Sequence, residues 1–143
     1  MPSKSKVWFF SEYGDFSLSN RTKLKEFIEF IFRKEKKKLN SVNYIFCTDK
    51  KLLEINRQFL HHDYYTDIIT FELSDNDSIQ AEIYISIDRV RDNAKAVSTS
   101  FKSELHRVIF HGALHLCGYK DKKKAEVEIM RKKEDSYLAL YFK

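Results

Sequence analysis

The chain contains little glycine and proline, with 3 Gly and 1 Pro among its 143 residues. This scarcity argues against long linkers and low-complexity segments. No apolar run is long enough to span a bilayer, and we expect no signal peptide at the N-terminus. Together with an ordinary balance of 33% charged and 43% hydrophobic residues, these absences predict a single cytoplasmic domain covering residues 1–143.

Cysteine is equally scarce, and the two that are present, Cys47 and Cys117, lie far apart within apolar segments. We interpret both as reduced core residues of a cytosolic protein and not as a disulfide. Cys117 also follows His115 by two residues on a predicted helix, so its side chain points away from that histidine. It is therefore a poor candidate for a catalytic nucleophile.

The pattern of apolar and polar residues predicts an α+β fold. The predicted elements follow the order β-α-β-α-β-β-α-α-α, which indicates a small mixed four-stranded sheet with about five helices packed mainly on one face. A turn-forming cluster at residues 74–78 predicts a hairpin between the last two strands. The elements are strands at 7–10, 42–47, 67–73 and 79–87, and helices at about 20–38, 49–60, 88–97, 101–117 and 125–141.

The most informative segment is residues 111–121, which reads His-Gly-Ala-Leu-His-Leu-Cys-Gly-Tyr-Lys-Asp. His111 and His115 are four residues apart, so both imidazoles project from one face of a helix. Two neutral imidazoles in that arrangement can bind one metal ion. Gly118 suits a helix end in the left-handed conformation, after which Asp121 can return as an oxygen ligand. Two nitrogens, one carboxylate oxygen and an open position describe a catalytic metal site.

Two histidines on an ordinary helix are the alternative interpretation of this spacing. The flanking residues weigh against it, because the segment from Leu105 to Cys117 is largely apolar and two polar rings there need partners. A metal ion is a good partner for both rings. Gly112 stands where metalloproteases carry a glutamate base. The pattern therefore indicates a metal centre that lacks the base of a protease.

The same segment resembles the signature H-G-x-L-H-L-x-G-Y-D-H of the YbeY family of bacterial ribosomal-RNA maturation factors. Lys120 and Asp121 stand where the family usually has Asp-His, so Asp121 would replace the third histidine ligand. A carboxylate there is compatible with zinc but also suits harder metals. The matching positions are His111, Gly112, Leu114, His115, Leu116, Gly118 and Tyr119.

Further stretches resemble the family in consistent order, from about residue 42 to residue 140. Residues 66–71, Thr-Asp-Ile-Ile-Thr-Phe, are similar to the family's T-D-V-L-S-F strand, and residues 81–86 are similar to its G-D-I-x-I-S strand. Met130 and Glu134 fall where the C-terminal helix of the family would place them. The resemblance thus covers most of the chain.

One position departs from the family in a way that bears on catalysis. The family often carries an arginine that is linked to RNA cleavage, and Leu60 stands in its place here. Arg57 lies one helical turn earlier and is our candidate for a catalytic substitute. The resemblance also favours a site-lining role for Thr66 and Asp67, although Thr66 could simply cap a turn.

The resemblance implies a metal-dependent endoribonuclease, a hydrolase that cuts single-stranded RNA in ribosomal-RNA maturation and ribosome quality control. His111, His115 and Asp121 would hold one divalent ion, Zn²⁺, and the partners would be ribosomal RNA and the small ribosomal subunit. We expect a monomer without membrane contact. A ribosome-assembly factor with a structural metal is the alternative, favoured by Leu60, and a metallopeptidase is a weaker one because Gly112 removes its base.

Basic residues outnumber acidic ones, giving a net charge of +5, which favours an anionic partner but also fits a mildly basic enzyme. Lys120 and the lysines at 122–124 flank Asp121. They either contact a phosphodiester near the metal or simply solubilise a loop, and the sequence favours neither.

The other three histidines lie outside this motif. His106 is about 140° around the helix from His111, so we predict that it is not a ligand. His61 and His62 lie in a predicted loop beside Asp63, where a functional role and simple solvation are equally good interpretations.

Overall fold

The computed structural model describes residues 5–14, 16–74 and 77–143, and these form four strands and five helices, as the sequence predicts. Residues 75 and 76 of the predicted turn lie outside the described residues. In chain order the elements are β1 (Val7–Ser11), α1 (Arg21–Lys34), β2 (Leu39–Cys47), α2 (Asp49–Leu60), β3 (Ile68–Glu72), β4 (Ile79–Ser86), α3 (Ile87–Ala96), α4 (Phe101–Leu116) and α5 (Lys124–Tyr141).

The four strands form one mixed sheet in the order β1-β2-β4-β3. β1, β2 and β4 run parallel, and β3 pairs antiparallel with β4, which confirms the predicted hairpin between them. Tyr84 on β4 is opposite Ile45 on β2 and Ile69 on β3. Because side chains alternate across a strand, this row belongs to one face and its neighbours in sequence to the other.

One face of the sheet carries the main core, to which α1, α3, α4 and α5 contribute, while α2 packs a smaller cluster on the other face. Leu52 and Ile55 of α2 lie against Cys47 and Ile69, beside Tyr84. The predicted packing mainly on one face is therefore correct. Among the described residues, none of the helices is both long and apolar enough to cross a membrane.

Two contacts fix α4 tightly against the sheet. The hydroxyl of Tyr44 on β2 donates a buried 2.9 Å hydrogen bond to the carbonyl of Ile109. A Cβ atom at Gly112 would stand 3.0 Å from the Cδ1 atoms of both Ile68 and Ile83, which is tighter than an ordinary van der Waals contact. Glycine thus allows close helix–sheet approach, and a side chain at this position would point at the strands.

The boundary between α1 and β2 differs from the prediction. The helix ends at Lys34 instead of near residue 38, and β2 begins at Leu39 instead of residue 42. Lys36 adopts a left-handed φ of 60°, and the N–H of Lys37 returns to the carbonyl of Phe32 at 2.8 Å. This Schellman-type end stops the helix before residues 35–38, although their helix propensity is high, and β2 begins at Leu39.

Two of the other helices, α2 and α3, begin directly after residues whose side chains cap the first turn. Thr48 accepts a hydrogen bond from the N–H of Lys51 and begins α2, as predicted. Ser86 accepts one from the N–H of Arg89, so α3 begins at Ile87, one residue before the predicted start. Both hydroxyls satisfy amide groups that the first helical turn leaves without partners.

Candidate metal centre and its cleft

His111 and His115 lie one turn apart on α4, and both rings leave the same face of the helix, as their spacing predicts. The ring centroids are 6.0 Å apart and the ring planes differ by 12°. His111 is partly buried, whereas His115 is exposed to solvent. The helix thus presents two nearly parallel imidazoles, one against the protein and one at the surface.

The turn after α4 brings Asp121 back to His111. Gly118 has a φ of +106°, a conformation that L side chains rarely adopt, and its N–H reaches the carbonyl of His115 at 3.1 Å. The N–H of Tyr119 reaches the carbonyl of Leu114 at 3.1 Å. After this cap, Oδ2 of Asp121 lies 3.1 Å from Nε2 of His111.

The fit of this arrangement to a metal ion follows from that distance. Two ligand atoms, each about 2.0–2.1 Å from a tetrahedral zinc ion, are about 3.3–3.4 Å apart. The separation between His111 and Asp121 is close to that value, and the donor types suit zinc. Over residues 5–14, 16–74 and 77–143, however, no group of three or more His, Cys, Asp and Glu side chains is arranged to hold an ion as it stands.

A carboxylate on α5 orients His111. Oε2 of Glu134 accepts a 2.7 Å hydrogen bond from Nδ1 of His111, and Oε1 accepts one of 2.9 Å from Arg107. Burial raises the pKa of Glu134, but these two hydrogen bonds bring it below its ordinary value. Burial lowers the pKa of His111, yet Glu134 and Asp121 together raise it above its ordinary value.

Two arginines accompany these groups. Arg107 is mostly buried and bridges Glu134 and Asp135, at 2.9 and 2.6 Å. The side chain of Arg131 is 59% exposed, and its guanidinium is 3.5 Å from Glu134. Arg107 therefore serves mainly to hold the carboxylates, whereas Arg131 is open to an external anion.

These groups line a cleft of about 490 Å³ between α4, α5 and the start of β3. Thr66 and Asp67 also line it, as the resemblance implied, and Asn93 donates to Asp67 at 3.4 Å. Burial raises the pKa of Asp67, and the positive charge of His111 partly offsets this effect. The cleft thus combines partly buried histidine, carboxylate and guanidinium groups, an arrangement that suits chemistry on a charged substrate.

The carboxylate of a residue near α1 supports the turn that follows α4. Glu35, just beyond α1, accepts a 2.6 Å hydrogen bond from the hydroxyl of Tyr119 and one from Tyr137. Lys133 approaches the same carboxylate at 3.2 Å. Burial raises the pKa of Glu35, but these three partners bring it below its ordinary value.

Several predicted residues lie outside this cleft. Arg57 on α2 is not among the residues that line it, and its guanidinium pairs with Asp63 in an exposed ion pair. Lys120 and the lysines at 122–124 are exposed and do not line it either. Lys123 instead contributes its N–H to Glu126 at the start of α5, at 2.9 Å.

One histidine and the two cysteines were predicted to have no role in the site. His106 is buried on the core side of α4, where its Nδ1 donates to the carbonyl of Lys102 at 2.7 Å, which agrees with a non-ligand. Cys47 and Cys117 are free, and burial raises the pKa of each thiol to about 12. A thiol with so high a pKa is a poor nucleophile, in agreement with the sequence argument.

Sequence reasoning missed the two arginines and the partner of His111. Arg107 precedes His111 by four residues, so its position on the same helix face could have been read from the spacing. Glu134 was placed only by the family resemblance, because nothing local indicates that α5 folds back onto α4. Arg131 depends on the same tertiary contact.

Comparisons with known proteins agree with the fold. The family model described as Endoribonuclease YbeY matches residues 11–141. The endoribonuclease YbeY of Cytophaga hutchinsonii is 50% identical over 135 residues, 94% of each chain. That of Christiangramia forsetii is 44% identical over 138 residues, 96% of each chain. The solution structure of TM1509 from Thermotoga maritima has a TM-score of 0.67 at 30% identity, covering 95% of this chain and 89% of that one.

The family match therefore spans every residue of the cleft, from Thr66 to Glu134, and the solved structure shares the arrangement of sheet and helices. Because sequence and fold agree over nearly the whole chain, the protein belongs to the YbeY endoribonuclease family.

Proposed function

We propose that this chain is a metal-dependent endoribonuclease that cuts single-stranded RNA in ribosomal-RNA maturation and ribosome quality control. One observation carries the proposal: in a chain of this family, His111, His115 and Asp121 lie at a cleft that also holds Arg107 and Arg131. Metal donors and cations side by side can activate a water and stabilise the charge that develops when a phosphodiester is hydrolysed. The proposed setting is a cytoplasmic monomer, one domain over residues 1–143, acting on ribosomal RNA at the small ribosomal subunit.

His111, His115 and Asp121 would hold one divalent ion, which we propose to be Zn²⁺. When bound, such an ion lowers the pKa of a coordinated water and neutralises charge on the phosphate. Glu134 accepts a hydrogen bond from Nδ1–H of His111, which leaves Nε2, on the side of Asp121, as the nitrogen that would lose its proton and coordinate the ion. The buried carboxylate thereby fixes the tautomer that the proposed ligand needs.

The two arginines of the cleft have different proposed roles. Arg131 is exposed at the cleft and would bind a phosphate oxygen, while Arg107 keeps Glu134 in place. Arg57 remains our proposed substitute for the family arginine at Leu60. Its Nε pairs with Asp63, and the side chain is 56% exposed, so the terminal nitrogens of the guanidinium are accessible to RNA.

A ribosome-assembly factor with a structural metal is the second candidate function. It is favoured by Leu60, which is 39% exposed at the position where the family often has arginine. A metallopeptidase has no comparable support, since Gly112 faces the sheet and leaves no room for a base.

The test is cleavage of an unstructured RNA by purified protein reconstituted with Zn²⁺. We expect the wild type to cut the RNA, His115→Ala to fall to the level of a protein-free control, and Glu128→Ala, an exposed change on α5, to keep activity. Arg57→Ala should reduce cleavage more than RNA binding. Equal cleavage by wild type and His115→Ala would show that the cleavage does not depend on the proposed metal site and would contradict the proposal.

A second measurement separates the two candidate functions. Tight binding of the wild type to small ribosomal subunits, without metal-dependent cleavage of any RNA, would favour the assembly factor over the enzyme.

A further inference from the structure

Exposed aromatic rings are concentrated between the end of α2 and the cleft. Of the twelve large hydrophobic side chains that are exposed in the described part of the chain, four fall within residues 59–65. Phe59, Tyr64 and Tyr65 are 59%, 55% and 54% exposed. Such a concentration of exposed apolar surface is characteristic of a contact site. We refer to Phe59, His61, His62, Tyr64 and Tyr65 as the aromatic strip.

The centre of the aromatic strip is held in a fixed arrangement. The rings of His62 and Tyr64 stack with centroids 5.1 Å apart and planes 22° from parallel, and the Tyr64 hydroxyl lies 2.9 Å from Nδ1 of His62. Asn56, buried on α2, binds both residues through their backbones. Its side-chain amide donates to the backbone carbonyl of Tyr64 at 2.9 Å, and its backbone carbonyl accepts from the N–H of His62 at 3.1 Å. A stack that is already ordered loses little entropy when a flat ligand binds.

The aromatic strip is followed directly in sequence by two residues of the cleft. Tyr65 precedes Thr66 and Asp67, which line the cleft, and the three residue steps from Tyr64 to Asp67 span at most about 11 Å. A flat group held at Tyr64 or Tyr65 would therefore lie one to three residue steps along the chain from Thr66 and Asp67 of the cleft.

Cations accompany the rings. The guanidinium carbon of Arg89 lies 5.0 Å from the centroid of Tyr65, while the same guanidinium pairs with Asp49 at 2.7 Å, and Arg57, two residues before the strip, pairs with Asp63. Stacking rings beside guanidinium groups are the features by which proteins bind single-stranded nucleic acid without reading its sequence. Because both guanidiniums are paired with carboxylates, they add flat stacking surface and little net charge. The position of the strip next to the cleft, in a chain of an endoribonuclease family, is what favours RNA over an apolar protein segment.

We propose that the aromatic strip binds unpaired bases of the RNA next to the scissile phosphate, with one base on the His62–Tyr64 stack. This inference rests on the proposed ribonuclease function and specifies its substrate. In a duplex the bases already stack on one another, so only an unpaired segment can use the strip. The strip would thereby select single-stranded RNA and set its path into the cleft.

The experiment measures binding of an unstructured RNA to full-length protein carrying His115→Ala, so that the RNA stays intact. In this background Tyr64→Leu should weaken binding by about 5- to 100-fold, from the usual stacking contribution per base. Tyr64→Phe keeps the ring and should retain most of the affinity. Phe10→Leu is the matched control, since Phe10 is 50% exposed on β1, away from the cleft. RNA carrying 5-iodouridine should crosslink to Tyr64 or His62.

Three outcomes are decisive. Equal RNA affinity of the Tyr64→Leu and Phe10→Leu proteins, with crosslinks elsewhere, would overturn the aromatic strip even if the wild type cleaves RNA. Loss of affinity in Tyr64→Leu would support the strip even if the wild type with Zn²⁺ cuts nothing, in which case only the ribonuclease proposal fails. Unchanged RNA affinity combined with weaker binding to RNA-free ribosomal proteins would assign the strip to a protein partner and overturn the inference.

Discussion

Nδ1 of His111 and Oε2 of Glu134 lie 2.7 Å apart although 23 residues separate them in sequence. The contact joins α4 to α5 inside the cleft, and Arg107 occupies the other oxygen of the same carboxylate. Because the side chain of Glu134 is only 5% exposed, both partners are needed to offset the cost of burying its charge.

Replacing Glu134 should weaken the metal site without removing a ligand. Glu134→Gln keeps the size of the side chain but loses its charge, so His111 becomes less basic and less firmly oriented. We expect zinc affinity, measured by competition with a chromophoric chelator, to fall about 10- to 100-fold. Asp135→Asn, a neighbouring change that also touches Arg107, is the control. Equal affinities of the two variants would show that Glu134 does not support the site.

The identity of the three proposed ligands can be tested by metal content. The double variant His111→Ala, His115→Ala should lose stoichiometric metal, and its full retention would rule out this site. Asp121→His restores the ligand usual in the family and should bind zinc more tightly than the wild type, because imidazole is a good zinc ligand. Unchanged or weaker affinity in that variant would count against Asp121.

His106 should make the fold less stable in mild acid. Burial lowers its pKa below the ordinary value, and the charges of Lys102 and Lys23 act in the same direction against the hydrogen bond to the Lys102 carbonyl. The unfolded chain therefore takes up the proton first as the pH falls. The contribution of His106 is complete above about pH 6.5 and is lost progressively from there down to its lower folded pKa.

The measurement is urea unfolding across this range. His106→Phe preserves the ring that stacks on Tyr141, with centroids 5.2 Å apart, but cannot titrate. Between about pH 7.5 and about pH 5 the free energy of unfolding should fall less in this variant than in the wild type. Identical pH dependences would show that the histidine is not the group responsible.

Gly112 should tolerate no large side chain, since a Cβ there already meets Ile68 and Ile83 at 3.0 Å. Gly112→Leu is expected to lower the free energy of unfolding by about 1–3 kcal/mol or more, because the helix must move away from the sheet. Gly14→Leu is the matched control, as nothing lies within 4 Å of a Cβ at that position. Comparable stabilities of the two variants would contradict the close approach of α4 to the strands.

The sequence was most informative where a single helix or turn carries the information. The spacing of His111 and His115 and the glycine at 118 predict their local geometry, because helix periodicity and backbone conformation are local properties. Contacts made across the fold could not be obtained in this way. The bond between His111 and Glu134 depends on how α5 returns to α4, and the ion pair of Arg57 with Asp63 depends on the loop after α2.

The end of α1 shows a different limit. Residues 33–38 have high helix propensity and were predicted to continue the helix, but pairing of Leu39 with Ile79 on β4 draws the chain into the sheet. The left-handed conformation at position 36 could not be predicted, because the residue there is lysine and not the glycine or asparagine that usually adopts it. Hydrogen bonds to a distant strand outweigh local helix propensity here, and the sequence of residues 33–41 alone does not reveal them.

The buried carboxylate of Glu35 has a consequence for how the protein opens. It holds Tyr119, two residues before Asp121, together with Tyr137 and Lys133 of α5, so three distant segments share one anchor. Amide protons of residues 118–121 should therefore exchange with solvent in step with those at the end of α1, and not with the exposed lysines that follow. The proposed third ligand would then be available only as long as the first third of the chain stays folded.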